Sequence, residues 1–314
     1  MPSITRTSPG FAAGFTLPLN LLQGGGVLTT GKTFYVDSVT GSNSNSGRRS
    51  TSPVATLDYA IGLCTASKGD TIFLMPGHTE AVTSTNTAID VTGVTVIGLG
   101  SGARKATFTY AATDSRINVT AANCVFRNIR VQSGVGDVVT AFLHATAAQN
   151  TNYIDIEFFT TSTFNFINGY TLGAANISDG CRWERNYLRT ADAGQLALAI
   201  TGAAHNDLKF YDNYVVHAAA AAGLLTAGAV HLLGIDVRGN FVQTGQTDGA
   251  VGVLVITSSS ASSGRIVDND MKTADAAANV AIPIASKVYA ARNYIAGTDE
   301  VGTVIAVGTL FDNT

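Results

Sequence analysis

This chain has little charge. Asp, Glu, Lys and Arg make up 13% of its 314 residues, against roughly 25% in ordinary soluble domains. With a net charge of −3 there is no basic stripe to hold phosphates, so nucleic acid is not an expected partner. Long apolar runs are missing too. The most apolar early stretch, Phe11 to Leu22, is interrupted by Gly14, Pro18 and Asn20 and falls short of the roughly 20 apolar residues a membrane span needs. Only Arg6 precedes that stretch as a basic residue, so no export signal is read there and no membrane is expected. Cysteine is scarce: Cys64, Cys124 and Cys181 lie in apolar segments without CxxC spacing, the pattern of small buried residues rather than of disulfides or metal ligands. His78, His144, His205, His217 and His231 show no metal spacing, and neither a metal nor a cofactor is expected. The GxSxG of many serine hydrolases does not occur.

What is present is a repeat. Seven segments share one signature, read around Asn128 in FRNI, Glu157 in DIEFF, Asn186 in ERNY, Asn213 in YDNY, Asn240 in RGNF, Asn269 in VDND and Asn293 in ARNY, at steps of 29, 29, 27, 27, 29 and 24 residues. Short apolar strands recurring at such a period predict a solenoid, each unit stacked on the last. Asn tolerates the left-handed backbone that a corner needs, and Asn128, Asn186, Asn213, Asn240, Asn269 and Asn293 form the expected structural ladder, amide above amide at about 4.8 Å. Three positions earlier stand Val125, Ile154, Trp183, Phe210, Val237, Ile266 and Ala290, all apolar and expected to face inward. One position later stand Ile129, Phe158, Tyr187, Tyr214, Phe241, Asp270 and Tyr294, a column read as core or turn packing rather than a carbohydrate platform. A second family of strands is expected at Leu196 to Ile200, Val251 to Ile256, Val280 to Ile284 and Val304 to Val307. Several strand stacks per turn make the cross-section of a parallel β-helix.

Ahead of the coil, residues 1–31 have no period and end in Gly24-Gly25-Gly26 and Thr29-Thr30-Gly31, which predicts an extended arm before a coil over 32–314. Leu57, Ala60, Ile61 and Cys64 fall at helical spacing, predicting one short helix over about 56–66 that caps the exposed strand edges.

The run FYVDSVTGSNSNSG from Phe34, then PVATLDYAI from Pro53 and GDTIFLMPGHTE from Gly69, resembles the opening of the pectate-lyase-like right-handed β-helix superfamily. The specific motifs lie in this first part, while the rung pattern extends the likeness to about residue 310. The resemblance implies an all-β, right-handed parallel β-helix, a single solenoid with a short N-terminal capping helix. That fold hosts polysaccharide lyases, glycosidases and inert virion proteins alike. Chains with this opening and such Ala/Thr/Ser-rich rungs also resemble bacteriophage particle components, which are usually homotrimers.

A polysaccharide-cleaving site asks for carboxylates on neighbouring rungs. Equivalent positions four before the Asn are Arg182, Lys209, Asp236 and Arg265; two before, Asp155, Glu184, Tyr211 and Arg238; one before, Arg185, Asp212, Gly239 and Asp268. Acid meets base in most of these columns, predicting opposite-charge ladders Lys209–Asp236–Arg265 and Arg185–Asp212. The remaining carboxylate candidates for catalysis are Asp212, Asp236, Asp268 and Asp270. The loop from Asp37 to Gly47 has one carboxylate, too few for calcium. The resulting expectation is a chain that is no enzyme, or, if one, a polysaccharide hydrolase or lyase. It is expected to be a structural virion protein, a phage β-helix that decorates or cements the capsid as a homotrimer, as the resemblance to particle components implies. The apolar arm residues Phe11, Phe15, Leu17, Leu19, Leu21 and Leu22 would dock it to the major capsid protein or another virion protein after assembly in the host cytoplasm. The alternative is a tailspike or depolymerase that binds or cleaves host surface glycan.

Overall fold

The computed structural model describes residues 31–83, 87–161, 163–189, 198–200, 204–217, 225–227, 232–244, 254–256, 262–273 and 287–296. The docking arm and the strands expected at 280–284 and 304–307 fall outside these residues. Gly31 opens the second of two units, Gly31–Thr314, which holds the coil.

Each turn of the coil lays one strand on each of three sheets. Val125–Arg127 joins a ten-stranded sheet, Arg130–Ser133 a nine-stranded sheet and Val138–His144 a seven-stranded sheet, and the chain then returns to the first at Asn152–Ile154. Among the described residues every pairing of these strands is parallel, from Thr33–Val36 on Thr71–Leu74 to Ser263–Val267 on Lys287–Ala291. The chain is therefore a right-handed parallel β-helix, nearly all β. Among the described residues there is one short α-helix, and no helix is long and apolar enough to cross a membrane.

Alternation explains the interior. In Thr33–Val36, Thr71–Leu74 and Thr95–Gly98 every second residue is buried, as period-two side chains require. Down the ten-stranded sheet the inward position runs Phe34, Ile72, Val96, Phe126, Tyr153, Trp183, Phe210, Val237 and Ile266, all buried. Phe126, Tyr153, Trp183 and Phe210 stack with centroids 5.2, 5.9 and 4.9 Å apart. Each such burial stabilises the coil by roughly 1.5–3 kcal/mol, and ring contact adds about 0.5–1.5 kcal/mol. Inside the same core His144 Nδ1 lies 2.7 Å from Ser178 Oγ and its Nε2 2.7 Å from Tyr153 Oη.

The Asn ladder differs from its expected form in one respect. The left-handed residue at the corner is the one before each buried Asn: Arg185, Asp212, Asp268 and Arg292 have φ of 50–57°, and Gly239 has 68°. The Asn itself points inward and is buried. Asn213 Oδ1 accepts the Asn186 peptide N–H at 3.1 Å, Asn240 that of Asn213 at 3.0 Å, Asn269 that of Asn240 at 3.0 Å and Asn293 that of Asn269 at 3.1 Å. Each amide nitrogen also donates to a strand carbonyl, as Asn240 Nδ2 does to Phe210 O at 3.1 Å. A corner N–H turned along the axis has no strand partner, and the amide one rung on supplies it.

Two members of the expected ladder stand elsewhere. Asn128 occupies the left-handed position, φ 56°, and its Nδ2 donates to Gly98 O and Gly100 O at 2.8 and 3.0 Å. Glu157 faces outward at the start of the next strand. The corner positions equivalent to Asn186 hold Ile129 and Ile156, both buried, and the Ile156 N–H donates to Asn186 Oδ1 at 2.9 Å. Gly98 fits close approach: a Cβ there would lie 2.1 Å from Asn128 O.

The helix runs Leu57–Gly62, shorter than the spacing predicts, and buries Leu57, Ala60 and Ile61. It ends early because Asp70 Oδ2 takes the Thr65 N–H at 2.7 Å and draws the chain away. Its first turn is tied to the coil, since Leu57 N–H donates to Glu80 Oε2 at 2.8 Å and Ala88 N–H to Asp58 Oδ1 at 3.4 Å.

Candidate functional site

The outer face of the later rungs carries the densest chemistry. Trp183, Phe210, Val237 and Ile266 point inward, so their neighbours Arg182 and Glu184, Lys209 and Tyr211, Asp236 and Arg238, and Arg265 point out, paired in register rung by rung. At the centre is Tyr211, 8% exposed. The Arg182 guanidinium lies 4.9 Å from its ring centroid and that of Arg238 4.1 Å, a cation on two sides of one phenol. Each such contact contributes about 0.5–2 kcal/mol. Its hydroxyl donates to Asp236 Oδ2 at 2.8 Å. Asp236 in turn accepts a fork from Arg265, Nε to Oδ1 at 2.8 Å and Nη2 to Oδ2 at 2.9 Å.

Electrostatics follow from these contacts. The Arg265 fork, helped by the Tyr211 hydroxyl and Arg238, holds the Asp236 carboxyl below its usual range. Burial, with the Asp236 carboxylate beside it, pushes the Tyr211 phenol up. An ionised acceptor thus sits next to a protonated donor. Upstream, Glu184 is paired with both Arg182 and Arg185, and Arg185 also donates to Asp155 at 2.9 and 3.2 Å. Arg127 reaches the same Asp155 at 3.5 Å. Ion pairs therefore recur from Asp155 to Arg265 along the axis, with Lys209 in register with the like charge of Arg182.

The four carboxylates singled out from the sequence do not meet. Asp236 belongs to this belt. Asp212 is an exposed, left-handed corner residue, and a Cβ on Gly239 would sit 2.1 Å from its Oδ1. Asp268 occupies another corner and is forked by Arg292 at 2.6 and 2.8 Å, which holds its carboxyl low. Asp270 starts a strand of the nine-stranded sheet with Lys272 at 3.3 Å. Asp268 and Asp270 flank the buried Asn269 and leave it toward different sheets, so sequence proximity does not make them a pair. In the charge ladders, Asp236 is bound by Arg265, whereas Arg185 turns to Asp155 and Glu184 rather than to Asp212.

The aromatic column is also placed differently from expectation. Tyr187, Tyr214 and Phe241 lie on the outside of the nine-stranded sheet, with Tyr187 and Tyr214 each 41% exposed. Their rings stack nearly parallel at 5.2 and 4.8 Å, and Lys272 Nζ lies 4.8 Å above Phe241. Tyr214 stacks on a ring to either side and Phe241 lies between Tyr214 and the lysine, while Tyr187 stacks by one face on Tyr214. Among the described residues no three His, Cys, Asp or Glu side chains gather as a metal site.

Sequence reasoning missed Tyr211 as a centre. Setting the column of Arg182 beside that of Tyr211 and Arg238 would have found it, since residues two apart on one strand share a face.

No family model matches the chain, and no curated protein matches it. Among solved structures it is similar to a rhamnogalacturonan lyase, at 13% identity and a TM-score of 0.42 over 88% of this chain and 90% of that one. It is also similar to the pectin methylesterase of Aspergillus niger, at 12% identity and a TM-score of 0.39 over 90% and 94%. These likenesses concern the fold alone, a parallel β-helix. The expectation that the chain is no enzyme is corrected: the solved structures it is similar to are those of a lyase and an esterase.

Proposed function

We propose that this chain is the polysaccharide-binding and depolymerising coil of a bacteriophage tailspike-type protein, with the outer face around Tyr211 as its site. The observation that carries this reading is the Tyr211 hydroxyl, 2.8 Å from the ionised Asp236 carboxylate and set beneath two guanidinium groups on the outer side of the ten-stranded sheet. Hydrolysing a glycosidic linkage puts a proton on the leaving oxygen and the hydroxyl of a water on the sugar carbon; the Tyr211 phenol can give the first proton, the Asp236 carboxylate can take the proton that water releases, and their hydrogen bond returns it to the phenol. Arg182 and Arg238 hold the ring and present donors to a chain lying across the rungs. The phage assignment rests on the resemblance of the chain's opening, and with it come the homotrimer and the attachment of the arm, through Phe11, Phe15, Leu17, Leu19, Leu21 and Leu22, to a virion partner.

Tyr211→Phe tests the site, because it keeps the ring and removes only the hydroxyl. Release of new reducing ends from host surface polysaccharide should fall by about 100-fold or more, with polysaccharide binding and Tm close to those of the parent. Undiminished cleavage would move the chemistry away from Tyr211. A parent protein that releases no ends from any host polysaccharide would end the depolymerase reading.

A further inference from the structure

Lys209 is an anomaly in the belt. Register sets it directly between Arg182 on one rung and Asp236 on the next, but Asp236 is already engaged by Arg265, Arg238 and the Tyr211 hydroxyl. The other cations around it have anionic partners: Arg182 has Glu184, Arg185 has Asp155, and Arg238 and Arg265 have Asp236. Among the described residues no carboxylate lies within ion-pair distance of the Lys209 ammonium. Instead a like charge, Arg182, stands directly opposite, an arrangement that destabilises a sheet. In a chain this poor in charge, a lysine stacked on an arginine is a concentrated positive spot.

We propose that Lys209 makes the outer face selective for acidic polysaccharide, binding a carboxylate of the sugar chain together with the outward N–H edges of Arg182 and Arg238. This rests on the polysaccharide reading above and narrows it to a substrate class. The three cations span two rung steps, about 10 Å along the axis, on an open face, which suits an extended anionic polymer better than a small enclosed ion. Guanidinium forks match planar carboxylates, and the lysine adds a point charge free to settle on either oxygen.

The test measures binding of the full chain to alginate and hyaluronate, which carry carboxylates, and to neutral dextran, at low and high NaCl. The parent should bind the acidic polymers, weaken with salt and bind dextran at least tenfold less. Lys209→Gln should lose about tenfold on the acidic polymers and leave dextran unchanged, while Lys287→Gln, an exposed lysine at the far end of the same sheet, should change neither. The Tm of Lys209→Gln should be no lower than the parent's, since the substitution relieves the contact with Arg182; a purely structural lysine would lower it. Equal binding of dextran and alginate, or unchanged alginate affinity in Lys209→Gln, overturns the selectivity while leaving the polysaccharide reading intact. Failure to bind or cleave any polysaccharide overturns both.

Discussion

The early and late halves of the coil share one backbone and one interior but differ on the outside. On the ten-stranded sheet the outward positions of the first three rungs hold Thr33, Thr71 and Thr95 beside Tyr35, Phe73 and Ile97, charge begins with Arg127, and the late rungs hold Arg182, Lys209, Asp236 and Arg265 beside Glu184, Tyr211, Arg238 and Val267. The inward column stays apolar throughout. The corner changes as well, from Ile129 and Ile156 to the run of buried Asn that starts at Asn186. Burial fixes the inner column because every rung must cover its neighbour. The outer column is free of that demand, so it is where a function can be placed.

Acid should separate the halves most strongly. His144, at their junction, is wholly buried with only the neutral Ser178 and Tyr153 as partners, and loss of solvation lowers it from 6.5 to about 3. His205 is lowered for the same reason, whereas His78 of the early half has Glu80 at 3.2 Å. Between those two values the unfolded chain binds a proton at His144 that the folded chain does not. Stability is therefore complete above pH 6.5 and falls as pH drops toward 3, by up to roughly 5 kcal/mol from this residue. Hydrogen exchange at decreasing pH should show the late rungs opening before the rungs around His78. Simultaneous loss of protection in both halves would contradict this.

The corners give the next largest contrast. Asn240→Ala leaves the buried Asn213 N–H and the Phe210 carbonyl without their side-chain partner and should cost about 3 kcal/mol in denaturant unfolding. Ile156→Val, at the same corner of the early half, should cost about 1 kcal/mol. Similar costs would mean that the amide ladder adds nothing beyond filling space.

The smallest effect on stability is expected from the outer pair. Arg265 is solvent-facing, so Arg265→Gln should leave Tm nearly unchanged. It should nevertheless reduce polysaccharide cleavage, because Asp236 loses the fork that orients its carboxylate toward the Tyr211 hydroxyl. A large fall in Tm with unchanged cleavage would assign the pair to structure.

The repeat was legible in the sequence because a buried corner amide admits few substitutes, and Asn186, Asn213, Asn240, Asn269 and Asn293 stand in the right register. The first two turns were misaligned because Ile129 and Ile156 fill that corner, while Asn128 and Glu157, one residue to either side, offered decoys. Val138–His144 and Phe166–Leu172 went unread as strands because their burial does not alternate cleanly. Lys209, Asp236 and Arg265 could be aligned by period alone. The direction of the Arg185 side chain could not, because its left-handed backbone turns it back toward Asp155. The aromatic column was visible as a column, but only geometry shows that it lies on the outside of the nine-stranded sheet.

A disulfide scan between rungs tests most directly whether residues 27 apart are stacked neighbours, on which the Tyr211 site depends. In a Cys64→Ala background, Tyr187→Cys with Tyr214→Cys places two thiols one rung apart, about 4.8 Å between backbones and within the range a disulfide bridges. Tyr187→Cys with Phe241→Cys places them two rungs apart, about 9.6 Å, beyond it. Rapid oxidation of the first pair and none of the second is the expected result. Oxidation of the second pair in preference to the first would contradict the register and remove the site with it.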